Sequence, residues 1–167
     1  MGVKVVKFGG SSVADAIQLQ KVKSIVMFDP DRKYVVVSAP GKRYSDDNKI
    51  TDLLYLCKTH IDHNIPADHV FQVICDRFRI MELNLGVNVG IDKELEEIRQ
   101  NLKPGVTADY IASRGEYLCG KLMAKCLGYP FVDPADCVFF KDDGAFDSER
   151  TNDALHSVLT SLGRAVI

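Results

Sequence analysis

Apolar positions along the chain change their period several times, and each change marks an element. Val3 to Phe8 is short and rich in β-branched residues, which predicts a strand. From Val13 to about Met27, Ala14, Ile17, Val22 and Ile25 give an imperfect apolar face, which predicts a helix stopped by Asp29-Pro30-Asp31. Tyr34 to Ala39 is a continuous apolar run ended by Pro40-Gly41. Runs of this type mark strands covered on both faces, as in a parallel sheet. Strand, helix and strand in that order imply a βαβ crossover.

Gly41 to Asn48 is polar and basic, a mobile loop leaving the carboxyl end of the second strand, and Asp47 or Asn48 can cap the helix after it. Ile50, Leu53, Leu54, Cys57 and Ile61 recur at spacings of three and four, an amphipathic helix. A second helix carries Val70, Val73, Ile74, Phe78, Met81 and Leu85 on one face. A third, more charged one runs from Asp92 to Leu102 and stops at Lys103-Pro104-Gly105. Thr107 can cap a further helix reaching Leu127, with Ile111, Leu118, Leu122 and Cys126 apolar. Its small residues Ala112, Gly115 and Cys119 form a stripe that predicts close approach of a neighbouring backbone. Beyond Gly128-Tyr129-Pro130, the segments Phe131–Asp133 and Val138–Phe140 read as short strands, and Asp143-Gly144 as a hairpin turn. Asn152 can cap the last helix, which turns Leu155, Val158, Leu159 and Leu162 inward and closes at Gly163. Arg164 to Ile167 begins another buried strand, and an end in mid-strand predicts that the chain is part of a longer protein. The whole is an α/β pattern: a largely parallel sheet with helices on both faces.

At 167 residues there is room for one domain with a sizeable core. A hydrophobic fraction of 46% with 26% charged residues is that of a globular protein. The net charge of −2 gives no general attraction to nucleic acid or anionic membrane. No signal-peptide pattern opens the chain, and no apolar run approaches the ~20 residues that span a bilayer. A soluble, cytoplasmic protein is therefore expected. The cysteines Cys57, Cys75, Cys119, Cys126 and Cys137 form no CxxC pair, so neither a disulfide framework nor a zinc site is expected. His60, Asp62, His63, Asp68 and His69 crowd one helix end, with ligand-like spacing between the first two histidines. A solvated polar turn is the commoner meaning of such a cluster, and no metal site is expected there.

Chemistry concentrates at the start. In Val5-Val6-Lys7-Phe8-Gly9-Gly10-Ser11-Ser12 an apolar strand meets a lysine, a glycine pair, two hydroxyls and then a helical pattern. Glycines let backbone N–H groups approach an anion, and a following helix N-terminus adds partial positive charge. The junction suits phosphate, although such turns also simply join strands to helices. Neither a GxxxxGK[ST] loop nor a GxGxxG turn is present.

Lys7 to Asp15, reading KFGGSSVAD, closely resembles the signature that opens aspartokinases. Val37-Ser38-Ala39-Pro40-Gly41 followed by Ile50-Thr51-Asp52-Leu53-Leu54 resembles their second strand and substrate-side helix. Ser113-Arg114-Gly115-Glu116, with Lys121-Leu122-Met123 downstream, resembles their third motif. The segments occur in the family's order and cover the chain. The resemblance implies a three-layer αβα amino acid kinase-like fold, cut short, with residues 1–167 as the amino-terminal portion of the kinase domain. It implies transfer of phosphate from ATP, with Mg2+ held mainly through the nucleotide phosphates, to the side-chain carboxylate of L-aspartate. Under it Lys7 is catalytic and faces the transferring phosphoryl group. Lys7, Phe8, Gly9, Gly10 and Ser11 hold phosphate, and Ser38, Thr51, Arg114 and Glu116 hold substrate, Arg114 by orienting neighbours.

Residue by residue, plainer readings stay open: a solvated strand-end cation for Lys7, a tight turn for the glycines, a helix-start hydroxyl for Thr51 and a solvated carboxylate for Glu116. Lys42, Arg43 and Lys49 either draw anions to the cleft or form an ordinary loop. The family's adenine pocket, Arg-Gly-Gly-Ser-Asp motif and ACT regulatory domains have no counterpart here, so the chain alone is expected to be inactive. A homo-oligomer is left open, since family assemblies form largely through regions this chain lacks. The competing readings are a non-catalytic folded module and a kinase of another small carboxylate.

Overall fold

A computed structural model describes residues 2–167. Strands β1 (Lys4–Phe8), β2 (Arg32–Val37) and β3 (Ala165–Val166) form a parallel sheet in the order β1-β2-β3. Helix α1 (Ala16–Phe28) makes the crossover between the first two. Helices α2 (Ile50–Asp62), α3 (Asp68–Leu85), α4 (Ile91–Asn101), α5 (Ala108–Leu127) and α6 (Ser148–Leu162) lie between β2 and β3 in sequence.

Alternation along the strands divides the sheet's two faces. Val35, Val37 and Val166 enter a core built with α1 to α5, while Tyr34, Ala165 and Ile167 pack with Val132, Cys137 and the inner side of α6. Helices on both faces of a parallel sheet make three layers, the expected architecture. Coverage is uneven, however. On the α6 side β1 is bare, with Val5 and Lys7 exposed, as is Val3 just before it. Phe78 on α3 is fully buried in the larger core. Phe78→Ala should therefore lower unfolding free energy by about 3–5 kcal/mol, read from denaturant midpoints.

Several boundaries differ from expectation. The chain makes a 3-10 turn over Gly10–Val13 before α1, whose cap is Asp15, accepting from Gln18 N at 2.8 Å. Leu19 and Val26 are buried beside Val22, whereas Ile17 and Ile25 are exposed. Ile17 precedes Val22 by five residues, about 140° round the helix, so the two cannot share a face. On α3, Phe71 and Cys75 are buried and Val73 is exposed. Asp147, not Asn152, caps α6, because its carboxylate reaches Arg150 N at 3.1 Å. Leu162 falls on the exposed side of that helix. The two expected short strands reduce to single bridges, Phe131 to Val166 and Phe140 to Phe146. The second closes the anticipated hairpin, where Gly144 takes a φ of 82°. All five cysteines are free and buried. Among the described residues no helix is long and apolar enough to cross a membrane.

Candidate active site

Because β1 and β2 run parallel, both release the chain at the same edge of the sheet. The two turns formed there touch. Gly41 N donates to Gly10 O at 2.8 Å, and Ser38 N donates to Phe8 O at 3.1 Å. A Cβ on Gly10 would lie 2.9 Å from Ala39 O, and one on Gly41 would lie 2.7 Å from the Gly10 carbonyl carbon. Glycine is thus required at both positions by backbone contact. A Cβ on Gly9 would meet nothing within 4 Å, so that side of the turn is open. No side chain caps the 3-10 turn, and the leading N–H groups of such a turn have no internal acceptor.

Helix α2 begins against the second turn, with Ile50 N donating to Pro40 O at 3.0 Å, and carries Thr51 in its first turn. Helix α5 reaches the same place through Gly115. A Cβ there would lie 2.6 Å from the Ala39 Cβ and 3.1 Å from Ile50, the close approach expected of its small-residue stripe. Glu116 follows directly. Gly10, Ser11, Ser38, Lys49, Thr51 and Glu116 consequently line one cleft of about 510 Å³, with Lys42 on its wall. Four separate segments converge there.

The other sequence-selected residues lie around it. Lys7 is exposed at the end of β1, paired across the sheet with Val36. The Phe8 side chain packs on the larger core, leaving its carbonyl to the turn. Arg114 lines a second cleft of about 530 Å³, whose walls include Val36, Tyr117 and Phe131. Its guanidinium lies 4.6 Å from the Tyr110 ring and 4.7 Å from the Tyr117 ring, and donates to Ser113 Oγ at 2.9 Å. Glu116 lines both clefts and is where they meet.

The loop from Gly41 to Asn48 is anchored rather than free. Buried Asp47 accepts from Arg43 Nε at 2.7 Å and Arg43 N at 3.0 Å, and pairs with Arg77 at 3.4 Å. This engagement keeps the Asp47 carboxylate from capping α2, and neither it nor Asn48 is the cap residue, which is Lys49 without a side-chain bond. Hydrogen bonding from Arg43 holds the Asp47 carboxyl far below the usual carboxylate range, against the opposing effect of burial. A depressed value means the stabilisation is complete above the unfolded carboxyl pKa of about 3.9 and is lost only in stronger acid. Arg77 was not anticipated as a site residue. Its signal was a charge three residues after Ile74 and four before Met81, on the buried stripe of α3.

His60 Nδ1 lies 3.1 Å from Pro66 O and His63 Nδ1 2.8 Å from Thr59 O, so both rings are engaged with local backbone. Among the described residues no three His, Cys, Asp or Glu side chains gather as a metal site. Burial pushes the Cys57 thiol up to about 11, as suits a packing residue.

No protein-family model matches the chain. It is 38% identical over 163 residues to aspartokinase 3 of Bacillus subtilis, covering 91% of this chain and 35% of that protein. Among solved structures, the aspartate kinase of Clostridium acetobutylicum superposes with a TM-score of 0.95 at 44% identity, covering 100% of this chain and 38% of the other. Aspartokinase III of Escherichia coli, solved with aspartate and ADP, gives a TM-score of 0.82 at 22% identity over 99% of this chain and 40% of its own. The fold is that of the amino acid kinase class. Within that class the chain is a relative of the aspartokinases, and it spans about a third of the length of the first two proteins, 35% and 38%.

Proposed function

We propose that this chain forms the phosphate-facing and aspartate-facing part of an aspartokinase, which transfers the γ-phosphoryl group of ATP to the side-chain carboxylate of L-aspartate. The observation that carries this reading is the convergence of Gly10, Ser11, Ser38, Thr51 and Glu116 on one cleft at the carboxyl ends of β1 and β2. Ligands of open α/β sheets sit at that edge. The Escherichia coli relative holds both aspartate and ADP.

Transfer between two anions needs positioning and charge compensation more than covalent help from the protein. Backbone N–H groups at Gly10 and Ser11 face phosphate oxygens, while Ser38 and Thr51 hydroxyls hydrogen-bond the amino acid. Glu116 receives its α-ammonium, and Arg114, held between two tyrosines, orients the α5 wall. Lys42 and Lys49 add positive charge along the wall. Lys7 offsets charge on the transferring group. Magnesium would ride on the nucleotide phosphates; Glu116 is the one carboxylate on the cleft wall among the described residues, which suits an ion held mainly by phosphate oxygens.

In this reading residues 1–167 are the amino-terminal portion of the kinase domain and carry no ACT regulatory domain. The adenine pocket comes from sequence that relatives possess beyond the matched third, and the isolated chain does not turn over. Robust ADP release by these residues alone would overturn that part. Glu116→Gln in the intact enzyme should raise KM for aspartate about 10- to 100-fold, the worth of a charged hydrogen bond. KM for ATP should stay within about twofold, since that pocket is built elsewhere. The reverse pattern in steady-state kinetics would remove Glu116 from the amino-acid site.

A further inference from the structure

Arg77 is a charged side chain in the main core, only 4% exposed, and its guanidinium serves none of its own helix's needs. From α3 it donates to the backbone carbonyls of Ala14 at 2.9 Å, of Asn48 at 2.8 Å, and of Gly41. Its ion pair with Asp47 supplies the countercharge, and Asp47 in turn holds Arg43. The Nε atom alone finds no acceptor. The carbonyls lie on two segments behind the cleft. Ala14 follows the Gly10–Val13 turn, while Gly41 and Asn48 are the two ends of the loop that joins the second turn to Lys49 and the start of α2.

We propose that Arg77 is a positioning residue for the reaction, setting the distance between the phosphate turn and the substrate-side helix from behind both. This rests on the aspartokinase reading of the cleft. One planar cation bonded to the end of the phosphate turn and to both ends of the Gly41–Asn48 loop fixes their mutual spacing in a way that pairwise backbone bonds such as Gly41 N to Gly10 O and Ser38 N to Phe8 O do not. Lysine cannot replace it, since an ammonium is a point charge without the guanidinium's planar fork. A misplacement of about 1 Å between reacting groups costs up to about 10²-fold in rate.

Two readouts on Arg77→Lys separate this role from general support. In the chain itself, amide hydrogen exchange at Gly41 should quicken at least about tenfold while Leu118 and Leu122 of α5 keep their protection. In the intact enzyme, kcat per folded molecule should fall about 10- to 100-fold with both KM values within about threefold. Arg79→Lys, which alters an exposed pair with Asp92, should change neither. If Arg77→Lys does not fold, Asp47→Asn, which removes the countercharge and leaves Arg77 in place, is read by the same two measurements. Unchanged Gly41 exchange, protection lost equally throughout α5, or unchanged kcat would overturn the proposal. The exchange result does not depend on the substrate. An enzyme inactive on aspartate with Gly41 exchange still locally quickened by the substitution would count against the aspartokinase reading, and not against the tie between the loops.

Discussion

Lys7→Ala in the intact enzyme should lower kcat by about 10²–10³-fold while stability changes by less than about 0.5 kcal/mol. The second half of that expectation follows from where the residue sits. Lys7 is exposed at the last turn of an edge strand, opposite Val36, and buries nothing whose loss would loosen the sheet. Lys7 comes directly before Phe8, whose carbonyl accepts from Ser38 N, and two residues before Gly9, which opens the turn proposed to hold phosphate. On the proposed reading, a cation there acts on charge that moves during transfer, so its loss should appear in kcat and much less in KM for aspartate. Stopped kinetics with both substrates saturating measure it, and near-normal turnover would remove Lys7 from the mechanism.

Gly41→Ala should be damaging in a different way. Its new methyl would lie 2.7 Å from the Gly10 carbonyl carbon and 2.9 Å from Ser11 N, both backbone atoms of the facing turn. Neither atom belongs to a side chain that could swing away, so the turns must part. Overpacking of this kind costs about 1–3 kcal/mol, and the displaced turn should lower kcat by about 10²-fold. Gly9→Ala is the control. Gly9 has φ −76° and ψ 170°, open to any residue, and its Cβ would meet nothing within 4 Å, so thermal stability should be unaltered. Thermal unfolding of the two variants side by side separates a contact glycine from an open one, and equal destabilisation would contradict the distinction.

The parallel βαβ start was legible because β-branched runs and glycine turns are local signals, and the α2 face was legible because the five positions picked out by its spacing, Ile50, Leu53, Leu54, Cys57 and Ile61, are all buried. The face of α1 was not, since its register depends on the 3-10 turn that consumes Gly10–Val13 first, and no periodicity announces that turn. The cap of α2 was misplaced for a tertiary reason. Asp47 has the right chemistry for a cap, but two arginines claim its carboxylate, and one of them arrives from α3, 30 positions later in the numbering of the chain. The cleft itself was half legible. Motif residues on four segments could be named from the sequence, but their meeting depends on Gly115 letting α5 close on Ala39, and on Arg77 tying the loops behind. Arg114, two residues before Glu116, lines the second cleft together with Glu116, a placement that the motif alone does not reveal.

The central claim is chemical: an acyl phosphate forms on aspartate. Hydroxylamine traps such an anhydride as the hydroxamate and releases phosphate. Incubated with ATP, Mg2+, L-aspartate and hydroxylamine, the intact enzyme should yield aspartyl hydroxamate and ADP in equal amounts, with L-glutamate at least about tenfold slower. ADP release without hydroxamate, or equal rates with both amino acids, would contradict it.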